Sequence, residues 1–283
     1  MTVFAYGIFT SCVTAQPYMR LDASFYSQVL DEVRKVDIYL PADYYVNSGQ
    51  QYAAIYCLHG AGGNQNTNAM EATLYYSLHS QDTTISSPAA LYICPDGSAE
   101  PYLGGCYINS ELYGNHEDYI IQDLIPFIES EFRVVPHKNF RFITGMSMGG
   151  FGSTRLSVNY PDMFRGCMPN VGFLSLPDVF LEVWRSLCYE ENDSSYKLSY
   201  NAGINTKLFF TMCGALSPDT TIKPSQVEFI FDTLGNWVDS ALDRWYEEDL
   251  SRKVKFLPNE NELSWFLMCG LNDYKQTLAT YEI

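Results

Sequence analysis

Positive charge is what this chain has least of. Its 283 residues carry 17 Lys and Arg against 33 Asp and Glu, a formal net charge of −16. An excess of acid repels phosphate backbones and anionic lipid headgroups, and no Lys/Arg cluster interrupts it, so nucleic-acid binding is excluded. No apolar run reaches the length of a bilayer span, which excludes a membrane helix. None of the eight cysteines forms a C-x-x-C pair and no H-x-x-x-H occurs, so neither a zinc site, a redox motif nor any other metal or cofactor is implied. Cys57 and Cys94 lie in apolar runs and read as buried thiols; Cys106, Cys167 and Cys188 lie in less regular stretches where a disulfide is open but unassigned. Internal repeats and low-complexity linkers are missing as well. Histidine is scarce, with four residues, His59, His79, His116 and His137.

What is present is a globular composition, 47% hydrophobic and 15% aromatic, in a length that suits one domain. Residues 1–16 are apolar and uncharged, and Val13-Thr14-Ala15 resembles a small-residue cleavage site. They read as a signal peptide, which would make the protein secreted or periplasmic, or else as a disordered N-terminus of a cytoplasmic one. Residues 17–283 then form the domain. Short apolar runs, Tyr52 to Leu58, Ala89 to Cys94 and Phe140 to Thr144, stop at glycine-rich or Pro-Asp-Gly turns, as parallel strands buried on both faces do. Val36 to Pro41 alternates as a half-buried strand. Between them, Asp118 to Phe132 carries an amphipathic helical pattern and Met148 to Asn159 a helix that ends at Tyr160-Pro161. Strand–helix alternation with short connections predicts an α/β architecture. The rhythm fails over 174–205, a polar stretch that reads as a lid insertion or a long surface loop. Asp239 to Asp249 reads as an exposed helix with a solvated charged face.

Two motifs carry chemistry. Gly145-Met146-Ser147-Met148-Gly149 fits G-x-S-x-G, between a strand and a helix. That context holds a serine hydroxyl clear of the sheet on a tight, strained turn at a helix N-terminus. His59-Gly60-Ala61-Gly62-Gly63 follows an apolar strand, where a glycine-rich loop can aim a backbone N–H at a developing oxyanion. Ala61 is the expected donor, Met148 N–H the second, with His59, Gly60 and Gly62 as the supporting loop.

With these residues in view the chain resembles the putative-esterase family of α/β-hydrolases, which includes esterase D, feruloyl and acetyl-xylan esterases, enterochelin esterases and mycolyltransferases. The matching stretches are Ser24 to Ser27, Tyr39-Leu40-Pro41, Tyr56 to Gly60, Pro95-Asp96-Gly97, Asp123 to Glu129 and Gly145 to Gly150, in order. The resemblance implies an α/β-hydrolase fold, a mostly parallel central sheet flanked by helices, here without its C-terminal strand and helix if the chain stops early. It implies a serine carboxylic-ester hydrolase with an acyl-enzyme intermediate, no cofactor, and a small-molecule or carbohydrate ester as partner, an acetyl or feruloyl ester of a polysaccharide among them. An acyltransferase uses the same machinery. The implied triad order is Ser, acid, His. Asp273, at the end of the apolar run Phe266 to Cys269 and Gly270-Leu271-Asn272, is the preferred acid; Asp219, after Ser217-Pro218, is the alternative and also fits a turn.

No histidine follows Ser147. Either Asn272 stands where the family's histidine would, giving an inactive homologue with a binding role, or the chain ends at Ile283 before the histidine loop. Nothing in the sequence sets the oligomeric state.

Overall fold

The computed structural model of the chain describes residues 18–81, 90–172, 174–176, 178–257 and 263–267. The signal-peptide reading of 1–16 therefore lies outside the described residues.

The chain opens with an antiparallel hairpin, β1 (Tyr18–Ser27) and β2 (Glu32–Pro41), paired from Tyr18 opposite Pro41 to Ser27 opposite Glu32. β3 (Ala53–Leu58), α1 (Ala69–Gln81) and β4 (Ala90–Pro95) form the first parallel crossover. A two-stranded ribbon follows, β5 (Asn109–Ser110) and β6 (Gly114–Asn115). Next come α2 (His116–Asp118), a π-helical turn over Tyr119–Leu124 and α3 (Ile125–Glu131), in place of the single amphipathic helix expected there. β7 (Arg141–Met146) leads into α4 (Met148–Asn159), then β8 (Gly166–Asn170). The helices α5 (Asp178–Glu191), α6 (Ile204–Leu216), α7 (Asp239–Glu247) and α8 (Leu250–Lys253) precede β9 (Ser264–Trp265).

The main sheet runs β1-β2-β4-β3-β7-β8-β9. β2 meets β4 antiparallel, and every contact from β4 to β9 is parallel. The mostly parallel sheet expected from the strand–helix rhythm is thus present. β4 is buried along its whole length and β3 nearly so, which is why both read as unbroken apolar runs rather than alternating ones. Because the parallel strands share a direction, the loops after β3, β4, β7 and β8 all open at one edge of the sheet.

Three expectations need correction. The 174–205 stretch contains α5, whose Phe180, Leu181, Trp184 and Cys188 recur at helical spacing and are buried. The acidic run opens in the last turn of α5, where the Glu191 carboxylate accepts from the Asn205 and Thr206 N–H groups at the start of α6. α7 is amphipathic rather than wholly solvated, with Ala241 and Trp245 buried one turn apart. Trp245 meets Trp184 at 6.1 Å and Phe209 of α6 at 5.9 Å between ring centroids, so an aromatic core ties the three helices together. Cys106, Cys167 and Cys188 are buried, and no disulfide joins the described cysteines, so the open disulfide is not formed among them.

The turn from β7 to α4 is built on contacts that admit no side chain. A Cβ at Gly149 would lie 2.0 Å from the Leu58 carbonyl oxygen, and one at Gly145 would lie 2.4 Å from that of Gly149. Backbone cannot yield as a flexible side chain does. Gly149→Ala is therefore expected to lose about 3 kcal/mol or more of stability. Gly49→Ala, where no atom lies within 4 Å, should stay within about 0.5 kcal/mol. Urea unfolding of both variants checks the contrast.

Candidate active site

Ser147 sits between the last residue of β7 and the first of α4 with φ 55° and ψ −113°. A residue bearing a Cβ reaches that conformation at a cost of about 1–3 kcal/mol, so the surroundings must hold it. They do so through the backbone. Ser147 N–H donates to the Asn170 carbonyl at 3.0 Å, and its own carbonyl accepts from Phe151 N–H at 3.0 Å. Both main-chain groups are engaged and the side chain projects from the turn, half-buried. Met148 is the first residue of α4, where helix geometry leaves the N–H without an intrahelical acceptor.

The loop after β3 lies alongside. A Cβ at Gly60 would be 3.3 Å from Met146 O and 3.6 Å from Ser147 Cβ, so the loop passes Ser147 at van der Waals range. Gly63 N–H donates to Gly60 O at 3.1 Å, and Gly62 N–H donates to Leu103 O at 2.6 Å. Gly62 is thereby removed as a donor to substrate. Ala61 is half-buried, and its N–H enters no backbone hydrogen bond among the described residues.

The histidines are placed elsewhere. His59 is fully buried. Its Nε2 accepts from Gly97 N–H at 2.8 Å and its Nδ1 lies 2.8 Å from Gly60 O. An accepting Nε2 puts the proton on Nδ1, which donates to Gly60 O, so the ring is neutral and both nitrogens are engaged. Burial holds its pKa below the usual value, against the opposing pull of Gly60 O and of Asp96, 4.0 Å away. His59 is a staple between the glycine loop and the Asp96-Gly97 turn. Arg34 secures that turn from below, donating to Asp96 O at 2.7 Å and Ser98 O at 2.9 Å. Tyr107 OH donates to His59 O at 3.1 Å. His116 is 2% exposed, and burial, with Arg34's charge adding to it, pushes its imidazole down to about 4. His137 is exposed, accepts from Asn139 N–H at Nδ1, and precedes β7. It thus lies a full strand, roughly 20 Å, from Ser147. His79 lies in α1, about 15 Å along the helix from Ala69, on a course leading away from the site edge.

Asp219, the alternative acid, caps a turn. Its Oδ1 accepts from Thr221 N–H at 2.9 Å and Thr221 OH at 2.6 Å, hydrogen bonds that hold the carboxyl below its ordinary range. Asp273 and Asn272 lie outside the described residues. β9, which leads towards them, is parallel to β8 and points to the Ser147 edge. The structure therefore gathers Ser147, Met148, Gly60, Ala61 and His59, and leaves Asp219 on a separate turn. Sequence reasoning missed Gly97, Leu103 and Tyr107 as parts of the site. Pro95-Asp96-Gly97 stood out as a motif, but nothing in it shows which group its N–H meets. Among the described residues no group of three or more His, Cys, Asp or Glu side chains could hold a metal ion, and no helix is long and apolar enough to cross a membrane.

The buried imidazoles carry a pH signature. From the ordinary 6.5 down to about 4 for His116, the unfolded chain takes up a proton that the folded chain refuses. Their contribution is complete above about pH 6.5 and is lost as pH falls through that window. For His116 alone the loss between pH 7 and pH 5 is about 2 kcal/mol. Urea midpoints of the parent should fall accordingly, and those of His116→Gln should fall less.

Comparison with known proteins places this geometry. The model of the family described as "Putative esterase" matches residues 27–272. Over 145 residues, 50% of this chain, the sequence is 32% identical to Esterase Rv1288 of Mycobacterium tuberculosis strain H37Rv, and equally to Esterase MT1326 of strain CDC 1551. The match spans 29% of the length of those relatives. A solved ferulic acid esterase superposes with a TM-score of 0.64 at 17% identity, covering 95% of this chain and 85% of its own. An S-formylglutathione hydrolase from Agrobacterium tumefaciens gives 0.51 at 15% identity, covering 96% and 94%. The Staphylococcus aureus fluorophosphonate-binding serine hydrolase FphF gives 0.51 at 16%, covering 94% and 98%. Structural likeness at such identities establishes the fold, an α/β-hydrolase sheet with its helices. The family match covers most of the chain and includes the Ser147 turn and the glycine loop; the chain belongs to the putative esterase family.

Proposed function

We propose that the chain is a serine carboxylic-ester hydrolase in which Ser147 is the nucleophile. The observation that carries the reading is the left-handed backbone of Ser147, held beside the glycine loop by packing that excludes any Cβ at Gly145 and Gly149. Backbone strain of this kind clusters at active sites, where the surrounding structure holds it. Ser147 Oγ attacks the ester carbonyl while a base takes its proton. The carbonyl oxygen gains the charge, and Met148 N–H and Ala61 N–H donate to it. Collapse expels the alcohol and leaves an acyl-serine, which water hydrolyses by the same route in reverse. Asp273 is assigned as the acid that orients the base. The base itself is none of His59, His116 and His137.

Small-molecule or carbohydrate esters are the proposed substrates, with acetyl and feruloyl esters of polysaccharides foremost. Support comes from the ferulic acid esterase fold and from a Clostridium thermocellum feruloyl esterase module complexed with sinapinate, TM-score 0.50 at 15% identity. A binding protein with an idle site is the second reading, favoured by one observation: His59 and His116 are buried and His137 precedes β7, so none of the three is placed as a base beside Ser147.

Hydrolysis of p-nitrophenyl acetate with added imidazole separates the two. Imidazole can act as the diffusible base that the described histidines do not supply. The parent chain should then exceed Ser147→Ala by at least about tenfold, a partial recovery of the roughly 10⁴-fold that loss of a triad member costs. Equal rates at every imidazole concentration would sink the hydrolase reading and leave the binding one.

A further inference from the structure

We infer that Thr211, on α6, is a positioning residue for the oxyanion hole, acting through Leu103. The catalytic part of this rests on the hydrolase reading above. The path runs through three hydrogen bonds. Gly62 N–H donates to Leu103 O at 2.6 Å. Leu103 N–H donates to Thr211 Oγ1 at 3.2 Å. Thr211 OH donates to Lys207 O at 2.9 Å, one turn back on its own helix. A threonine hydroxyl has one proton and two lone pairs. With the proton fixed on Lys207 O, a lone pair faces Leu103 N–H, so the acceptor is oriented before the loop arrives.

Thr211 is 1% exposed, so water has no access to replace its oxygen. A valine would fill the same volume without a polar atom. The hydroxyl is therefore not needed for packing, and what it adds is the grip on Leu103. That grip reaches the glycine loop and the Met148 side chain. Leu103 O fixes Gly62 and so sets the peptide plane next to Ala61. The following residue, Gly104, has φ 143°, and a Cβ there would lie 2.6 Å from Met148 Cε and 2.7 Å from Met148 Sδ. Gly105 N–H then donates to Gly97 O at 3.1 Å, returning to the turn whose Gly97 N–H meets His59. Leu103 to Gly105 thus form a bracket that touches the glycine loop on one side and the Met148 side chain on the other. Tyr113 OH, which donates to Thr211 O, fastens the same turn of α6 to the ribbon between β5 and β6. The glycine loop is in this way keyed, through Leu103, to a helix that follows β8 and lies more than a hundred residues beyond Leu103.

Thr211→Val and Thr211→Ser, each in the 283-residue chain, test the path. The first readout is amide hydrogen exchange of the His59–Asn64 segment. The second is kcat and KM for the Ser147-dependent hydrolysis of p-nitrophenyl acetate in imidazole. In Thr211→Val the segment should exchange about tenfold faster, one neutral hydrogen bond's worth. Its kcat should fall about tenfold with KM within about twofold, because the oxyanion forms only after binding. Thr211→Ser should restore both. Unchanged protection in Thr211→Val, or a serine variant no better than the valine one, overturns the inference. Should the parent show no Ser147-dependent hydrolysis, the hydrolase reading fails, and exchange of His59–Asn64 alone decides the positioning path. Thr211→Ala takes the valine variant's place if circular dichroism shows that the latter does not fold.

Discussion

The approach of the β7–α4 turn to the end of β3 is the constraint on which the rest of the site depends. Gly149 lies so close to the Leu58 carbonyl that even a methyl group is excluded. That contact lets the chain turn from strand to helix within one residue and leaves Ser147 with φ 55°. The strain is local, and the means of holding it are not. Asn170 at the end of β8 accepts the Ser147 N–H, and Phe151 one turn into α4 donates to its carbonyl. β3, β7 and β8 are adjacent and parallel, so their ends meet at one edge and can act on a single residue. An antiparallel arrangement would have sent alternate strand ends to opposite edges.

A second layer of restraint acts on the glycine loop. The loop carries few side chains of its own and so has few ways to fix itself. It is held from outside by the neutral His59 ring against Gly97, by Tyr107 on the His59 carbonyl, and by Leu103 on Gly62. These partners belong to the segment after β4. Arg34, buried and bound to the Asp96 and Ser98 carbonyls, anchors that segment in turn. The role of His59 follows from its surroundings. Burial favours the uncharged ring, and an uncharged ring with one donor and one acceptor can bridge a carbonyl and an N–H where a cation could not. A histidine next to a nucleophile motif is thus a structural staple here and not a base.

What was legible in the sequence was local. The strands at 53–58, 90–95 and 141–146 announced themselves as apolar runs cut by glycine, and the Ser147 turn by glycines at fixed offsets. Ala61 was singled out by its place after β3; that Gly62 is bound to Leu103 could not be read there. What was not legible depends on long-range pairing. Leu103 and Thr211 carry no motif, and their hydrogen bond spans more than a hundred residues. The helix α5 was hidden because the acidic, polar run that starts in its last turn dominated the composition, although Phe180, Leu181, Trp184 and Cys188 already had helical spacing. The charges of α7 masked its buried face, formed by Ala241 and Trp245. Asp219 looked like an acid in search of a partner, and its partner is Thr221, two residues on.

The central claim is that Ser147 is the reactive nucleophile. Peptide mapping by mass spectrometry, after the chain is treated with an activated phosphonate ester in imidazole, tests it most directly. The account predicts one phosphonyl adduct, on the peptide that contains Ser147, and none on Ser147→Ala treated alike. An unmodified Ser147, or an adduct shared among surface serines and tyrosines and retained in Ser147→Ala, would contradict it.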